Sequence, residues 1–302
     1  MSAPASSGGS GLWAATIGEL IRRTATELPG DVVAAIRQAR QASAETPRGC
    51  GLLQTLLDNS ALAQDRATPI CQDTGTLTFW VETPDGARHA PIAAGIREAV
   101  AASTRRGYLR RNTIDTLSGQ SRDDNLADGA PVIHFETDPA RDDVRIRLLL
   151  KGGGCENVSA QYSLPDADLQ AGRDLDGVRA CVLHAVWRAQ GLGCAPGVAG
   201  VCIGGDRAEG YHFAKRQLLR PLPDAAPEPE LARLETRLLA EANSLGIGPM
   251  GLGGQTTLLA VKLAARSRLP ASYFVTIAYS CWACRRRGLT ATLDGEPGRW
   301  LE

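Results

Sequence analysis

The chain has 302 residues, 43% of them hydrophobic and 22% charged, enough to bury a sizeable core in one large domain or two small ones. Its 33 Lys and Arg balance its 33 Asp and Glu, which argues against a nucleic-acid partner. No run of about 18 apolar residues suggests a transmembrane helix. The first eleven residues, "MSAPASSGGSG", lack the basic and apolar regions of a signal peptide. They read as a disordered lead-in (1–11) to one domain over 12–302, and a cytoplasmic location is the expectation.

From there the chain alternates helices and strands. Trp13, Ile17, Leu20, Ile21 and Ala25 recur at helical spacing. A second helix follows "LPG", with Asp31 as its expected N-cap, and a third is expected over Leu52 to Gln64. "TLTFWVE" alternates Leu77, Phe79 and Val81 with Thr76, Thr78 and Trp80, the period of a strand. A helix with Pro91 near its start and Gly107 at its end comes next. "VRIRLLL" reads as a strand that runs directly into "KGGGCEN". Beyond it lie a helix over 174–190, a strand "GVAGVCIGG", a helix from Ala208, an amphipathic helix "PELARLETRLLAEANSLG", and the strands "LLAVKLA" and "SYFVTIAYS". "PLPDAAPEPE" resembles a linker but does not divide the domain. The fold class expected is α/β, a mixed sheet with surrounding helices, without an internal repeat.

Four glycine-rich stretches, "QDTGT", "KGGGCEN", "CIGGD" and "GIGPMGLGGQTT", stand at element ends, where glycine lets backbone N–H groups approach a ligand. None fits a dinucleotide fingerprint, and "GGQTT" has glutamine where a phosphate-binding loop needs lysine. Eight cysteines, at 50, 71, 155, 181, 194, 202, 281 and 284, are expected to be thiols. Cys71, Cys194 and Cys281 each lie beside Gly, Pro or small residues at an element edge. Three thiolates from distant segments can hold three irons of a [4Fe–4S] cluster, leaving the fourth open as a Lewis acid. Cys281 and Cys284 also form a CxxC, readable as a redox pair or half a zinc site. A structural zinc wants four ligands, and the sequence supplies no second such pair. The run Arg285 to Arg287 would depress a neighbouring thiol's pKa. His89, His134, His184 and His212 form no ligand-like pair and read as structural or surface residues.

"PICQDTGT", "KGGGCEN", "GCAPG…IGG", "LGIGPMGLGG" and "SCWACRR" occur in that order across most of the chain. Together they resemble the alpha-type catalytic domain of the class I iron–sulfur hydro-lyases, the family of oxygen-sensitive fumarase and L(+)-tartrate dehydratase. The resemblance implies a [4Fe–4S] cofactor held by Cys71, Cys194 and Cys281, with Cys155 nearby and Cys284 not a ligand. It also implies that Gln72 and Asp73 line the substrate pocket and that Asp73 transfers the proton. Arg110 would bind a substrate carboxylate, and Gly152, Gly153 and Gly154 would offer it backbone N–H groups. A beta-type subunit is implied as partner in an assembly of two alpha and two beta chains, because the sequence ends at Glu302, soon after the last of the three cysteines. The substrate class is a small dicarboxylic acid, fumarate/malate or tartrate. Two positions depart from the family. Leu269 stands where relatives carry a substrate-contacting histidine, and Gln255 where fumarase-like members tend to carry lysine. Leu269 raises an alternative substrate, a substituted, mesaconate-like diacid with an apolar group against the leucine. A non-catalytic iron–sulfur or redox protein using the CxxC is the alternative of another class.

Overall fold

The computed structural model describes residues 8–43 and 47–301. In chain order the elements are α1 (Gly8–Thr26), α2 (Gly30–Ala42), α3 (Pro47–Arg66), β1 (Thr76–Thr83), α4 (His89–Arg105), β2 (Val132–Thr137), β3 (Val144–Lys151) and α5 (Gly153–Asn157). There follow β4 (Ala160–Ser163), α6 (Leu175–Ala189), β5 (Gly197–Gly204), α7 (Arg207–Gln217), α8 (Pro229–Ser244), β6 (Leu258–Arg266), β7 (Phe274–Ser280), β8 (Arg285–Ala291) and β9 (Pro297–Leu301). The fold is α/β, with mixed sheets and surrounding helices. Residues 1–7 of the expected lead-in lie outside the described residues, and α1 already begins at Gly8.

The chain divides into two compact units. Of the described residues, the first comprises 8–29, 60–151 and 285–301, the second 30–43, 47–59 and 152–284. The first unit is built on a five-stranded sheet in the order β2-β1-β3-β8-β9, in which β1 and β2 run parallel and the other pairs antiparallel. Its core joins Trp13, Ile17, Leu20 and Ile21 of α1 to Ile92, Ile96 and Val100 of α4, over Leu77, Phe79, Val81, Ile146 and Leu148 of the sheet. The period-2 reading of β1 predicts one wet face. Instead seven of its eight residues are buried, Thr78 and Trp80 among them, because β1 lies inside the sheet and both of its faces are covered.

The second unit holds a four-stranded sheet in the order β4-β7-β5-β6, with β5 and β6 parallel. Val178, Val182 and Val186 of α6 and Leu231, Leu234 and Leu238 of α8 pack in one core with Val201, Leu263 and Ile277. Asp31 falls inside the first turn of α2 rather than at its cap. Its carboxylate accepts from the N–H groups of Val32 at 2.9 Å and Leu222 at 2.7 Å. The linker-like stretch is pinned. Buried Lys262 donates to the Leu222 carbonyl and to the Asp224 carboxylate, both at 2.9 Å, and buried Glu235 accepts from the Ala226 N–H and from Arg220, also both at 2.9 Å. "KGGGCEN" contains the short helix α5. Among the described residues no helix is long and apolar enough to cross a membrane.

Candidate functional site

The candidate residues fall into two sets. The first lies in the first unit, on the turn that leads into β1. The Ile70 N–H is held by the Ala25 carbonyl at 3.0 Å, which fixes the entry to the turn. Cys71 is half-buried, and its Sγ accepts the Asp73 N–H at 3.4 Å, a contact that stabilises a thiolate. Asp73, also half-buried, accepts from the Asn112 side-chain amide through Oδ1 at 2.9 Å, and its carbonyl accepts from Arg285 at 2.8 Å. Thr74 is buried, and its hydroxyl accepts the Arg110 N–H at 2.7 Å. The segment 110–113 is therefore fastened to the Cys71 turn at two points. Gln72 and Arg110 are exposed.

Asn125 holds that segment from behind. It is 1% exposed and sits at φ +57°, a left-handed conformation that Asn tolerates better than most residues. Its Oδ1 accepts the N–H groups of Asn112 at 2.9 Å and Thr113 at 3.0 Å. Its Nδ2 donates to the Arg110 carbonyl at 2.7 Å and to the Thr104 hydroxyl at 3.0 Å. Sequence reasoning named Arg110 but neither asparagine. Asn112 closes the stretch "YLRRN", the one signal that points to it, whereas nothing local marks Asn125.

The second set lies in the second unit. Cys194 is exposed at φ +51° in the loop between α6 and β5, and Cys281 follows the last residue of β7. The Trp282 N–H donates to the Cys194 carbonyl at 3.3 Å, so the two loops are joined. Tyr279 lies beneath them, 2% exposed. A Cβ on Gly193 would stand 2.5 Å from its ring, and one on Gly197 would stand 2.2 Å from its hydroxyl. The two glycines of "GCAPG" are thus required by close contact with one aromatic ring. Burial, and after it the neighbouring thiols of Cys281, Cys155 and Cys194, push the Tyr279 phenol well above its usual range. Gly153 and Gly154 are exposed at the start of α5, and a Cβ on Gly154 would lie 3.6 Å from the Leu192 carbonyl of the Cys194 loop.

Cys284 is fully buried, its thiol directed at the Leu218 carbonyl 4.0 Å away. Burial also pushes the Cys181 thiol up to about 12 and that of Cys202 up to about 11, as expected of inert core thiols. Leu269 lies in the turn before β7 and is 73% exposed. Cys281 lies at the far end of the same strand. Seven strand residues span about 20 Å, so Leu269 does not face Cys281 from within this chain. Gln255 is exposed. His184 bonds the Tyr162 hydroxyl at 2.9 Å, His89 stacks on Phe135 and His134 on Trp80.

Among the described residues no group of three or more His, Cys, Asp or Glu side chains is gathered to hold a metal ion. Thiols that each take a different iron of a cluster do not converge on one point as the ligands of a single ion do. The donors fit an anionic, thiolate-bound group in other respects. They are soft sulfur ligands, one accepts a backbone N–H, and a buried guanidinium nitrogen, Nε of Arg285, has no hydrogen-bond partner.

Comparison with known proteins gives the family. A family model described as fumarate hydratase (Fumerase) matches residues 14–290. The chain belongs to that family. It is 48% identical over 288 residues to a Geobacillus stearothermophilus protein that carries the provisional name fumarate hydratase class I, covering 94% of this chain and 56% of that one. It is 30% identical over 274 residues to the L(+)-tartrate dehydratase subunit alpha of Escherichia coli K12, covering 89% of this chain and 87% of the subunit. A Methanocaldococcus jannaschii protein provisionally named as the same kind of subunit is 33% identical over 283 residues, covering 92% of this chain and 97% of its own. The chain thus spans little more than half of the Geobacillus relative and nearly all of the two alpha-type relatives.

Proposed function

We propose that this chain is the alpha-type catalytic component of a [4Fe–4S]-dependent hydro-lyase acting on a small dicarboxylic acid of the fumarate/malate or tartrate type. Cys71, Cys194 and Cys281 hold the cluster, and a beta-type polypeptide completes the enzyme as two alpha and two beta chains. The observation that carries the reading is the Cys71 turn. There a candidate ligand, a carboxylate oriented by an amide, and the segment presenting Arg110 are tied together by short hydrogen bonds.

A hydro-lyase must move a proton at the carbon next to a carboxylate and release a hydroxyl from the neighbouring carbon. Asp73 exchanges the proton, its carboxylate held in one orientation by Asn112. Arg110, exposed on the same segment, takes a substrate carboxylate in its planar fork. Gln72 and the N–H groups of Gly152, Gly153 and Gly154 contribute further donors. When bound, the cluster supplies a Lewis acid for the departing oxygen. The redox alternative is disfavoured because Cys284 is buried against a carbonyl, leaving the CxxC without an accessible second thiol. Leu269, exposed in the turn before β7, supplies no wall to a substrate at Cys281 of its own chain, and this favours unsubstituted diacids in the reading.

The test is anaerobic co-expression with a beta-type partner, followed by iron analysis and hydration assays on fumarate, mesaconate and tartrate. Iron should be present in the unmodified chain and lost in Cys71→Ser, Cys194→Ser and Cys281→Ser, and it should be retained in Cys284→Ala. Retention of full iron in any of the three serine variants, or no turnover of any diacid by an iron-replete enzyme, refutes the reading.

A further inference from the structure

Arg285 is among the largest fully buried side chains of the protein, 2% exposed. It opens β8, opposite Leu150 of β3. Its Nη2 donates to the Asp73 carbonyl at 2.8 Å, and its Nε is buried without a hydrogen-bond partner. Among the described residues no carboxylate forms an ion pair with it. Asp73, the acid nearest to its hydrogen bond, directs Oδ1 to Asn112 instead.

Several other buried or half-buried ions among the described residues are answered by side chains of opposite charge. Lys262 has Asp224 at 2.9 Å, Arg220 has Glu235 at 2.9 Å and Asp224 at 3.0 Å, and Glu82 has Arg145 at 2.9 Å. Burying a guanidinium without a counter-charge is strongly unfavourable, and an apolar side chain of similar size would be better in its place. A neutral carbonyl satisfies one N–H but not the charge.

The hydrogen bond places the guanidinium at the Cys71 turn, where the Cys71 thiol accepts the Asp73 N–H. A cysteine that takes iron does so as a thiolate, and three thiolates outweigh the positive charge of an oxidised [4Fe–4S] core, leaving a net anion. We propose that Arg285 is the counter-charge for the anionic thiolate–cluster assembly anchored at Cys71, retained for the cofactor at the expense of the metal-free fold. This rests on the cluster reading above.

The test uses the 302-residue chain with Arg285→Met and Arg285→Lys, in two measurements. In the metal-free state, Arg285→Met should unfold in urea at the same or a higher midpoint than the unmodified chain, because an uncompensated charge has been removed. After anaerobic reconstitution, the same variant should lose iron to a chelator at least tenfold more readily. Any cluster it keeps should be harder to reduce by at least tenfold in equilibrium constant, or 59 mV for one electron, since a positive charge favouring the added electron is gone. Arg285→Lys should recover most of both effects. A metal-free Arg285→Met chain less stable than the unmodified one makes Arg285 a structural residue and overturns the proposal. So does a variant of unchanged stability whose iron retention and potential stay within threefold of the unmodified chain. If the unmodified chain takes up no iron even when co-expressed with a beta-type partner, the cluster reading has failed and this proposal with it, a result distinct from either of the others.

Discussion

Replacing Asn125 with alanine removes a clamp of four hydrogen bonds from behind the Arg110–Asn112 segment. Thr104 keeps its bond to the Val100 carbonyl at 2.8 Å, so three backbone groups bear the loss: the N–H of Asn112, the N–H of Thr113 and the carbonyl of Arg110. These residues are half-buried or exposed, so water replaces part of what is lost. The low end of the cost of an unsatisfied group, about 1 kcal/mol each, then applies, or roughly 3 kcal/mol together. Alanine at φ +57° adds about 1 kcal/mol of left-handed strain. Asn125→Ala should therefore lower stability by roughly 4 kcal/mol, and Asn125→Gly by about 1 kcal/mol less, since glycine is unstrained there. Urea unfolding of both variants beside the unmodified chain, with the slope checked for constancy, measures the two contributions separately. A loss below about 1 kcal/mol for alanine, or glycine less stable than alanine, would refute the clamp.

Two further outcomes are expected at the candidate site. Asp73→Asn keeps an oxygen that can accept from Asn112, so the fold and iron content should be unchanged while turnover falls by about 10²–10⁴; a drop within threefold would reduce Asp73 to a positioning residue. Gly197→Ala drives a Cβ to 2.2 Å from the Tyr279 hydroxyl and 2.8 Å from the Ser280 carbonyl. It should cost about 1–3 kcal/mol or more and reduce iron, whereas Gly154→Ala, with only a 3.6 Å contact, should be tolerated in a melting experiment; equal effects would mean that the ring does not set the Cys194 loop.

The strands of apolar character are legible in the amino-acid sequence alone. β3, β5, β6 and β7 occupy the stretches that the apolar pattern marks, and α1, α4, α6 and α8 follow their helical spacing. What the pattern does not reveal has a physical reason in each case. β8 begins with three arginines, which no hydrophobic alternation marks. It is a strand because its backbone completes the ladder with β3, and because Arg285 and Arg286 are covered rather than solvated. β9 lies at a sheet edge with no fully buried residue, and β4 is only four residues long. Asn112 and Asn125 act through partners up to 39 residues away, a distance at which composition and period carry no information.

Leu269 shows the opposite limit, a position that motif comparison marks and the strand geometry moves. Its spacing before the last cysteine suggests a wall of the substrate pocket. The intervening residues form the extended strand β7, which carries the turn and the cysteine to opposite ends of the second unit's sheet. Twelve residues in a helix would leave the two about 18 Å apart, and in a compact loop much nearer. The extended strand makes the separation at least as large and gives it a fixed direction. A side chain 73% exposed at such a distance cannot discriminate a methyl from a hydrogen on a substrate bound at Cys281 of its own chain. On the proposed function, discrimination within this chain falls to residues that share a hydrogen-bonded frame with a candidate ligand. In the first unit these are Asp73, Arg110 and Asn112, all tied to the Cys71 turn. All three present charge or polar donors and acceptors, which suits recognition of carboxylates and hydroxyls rather than of an apolar substituent.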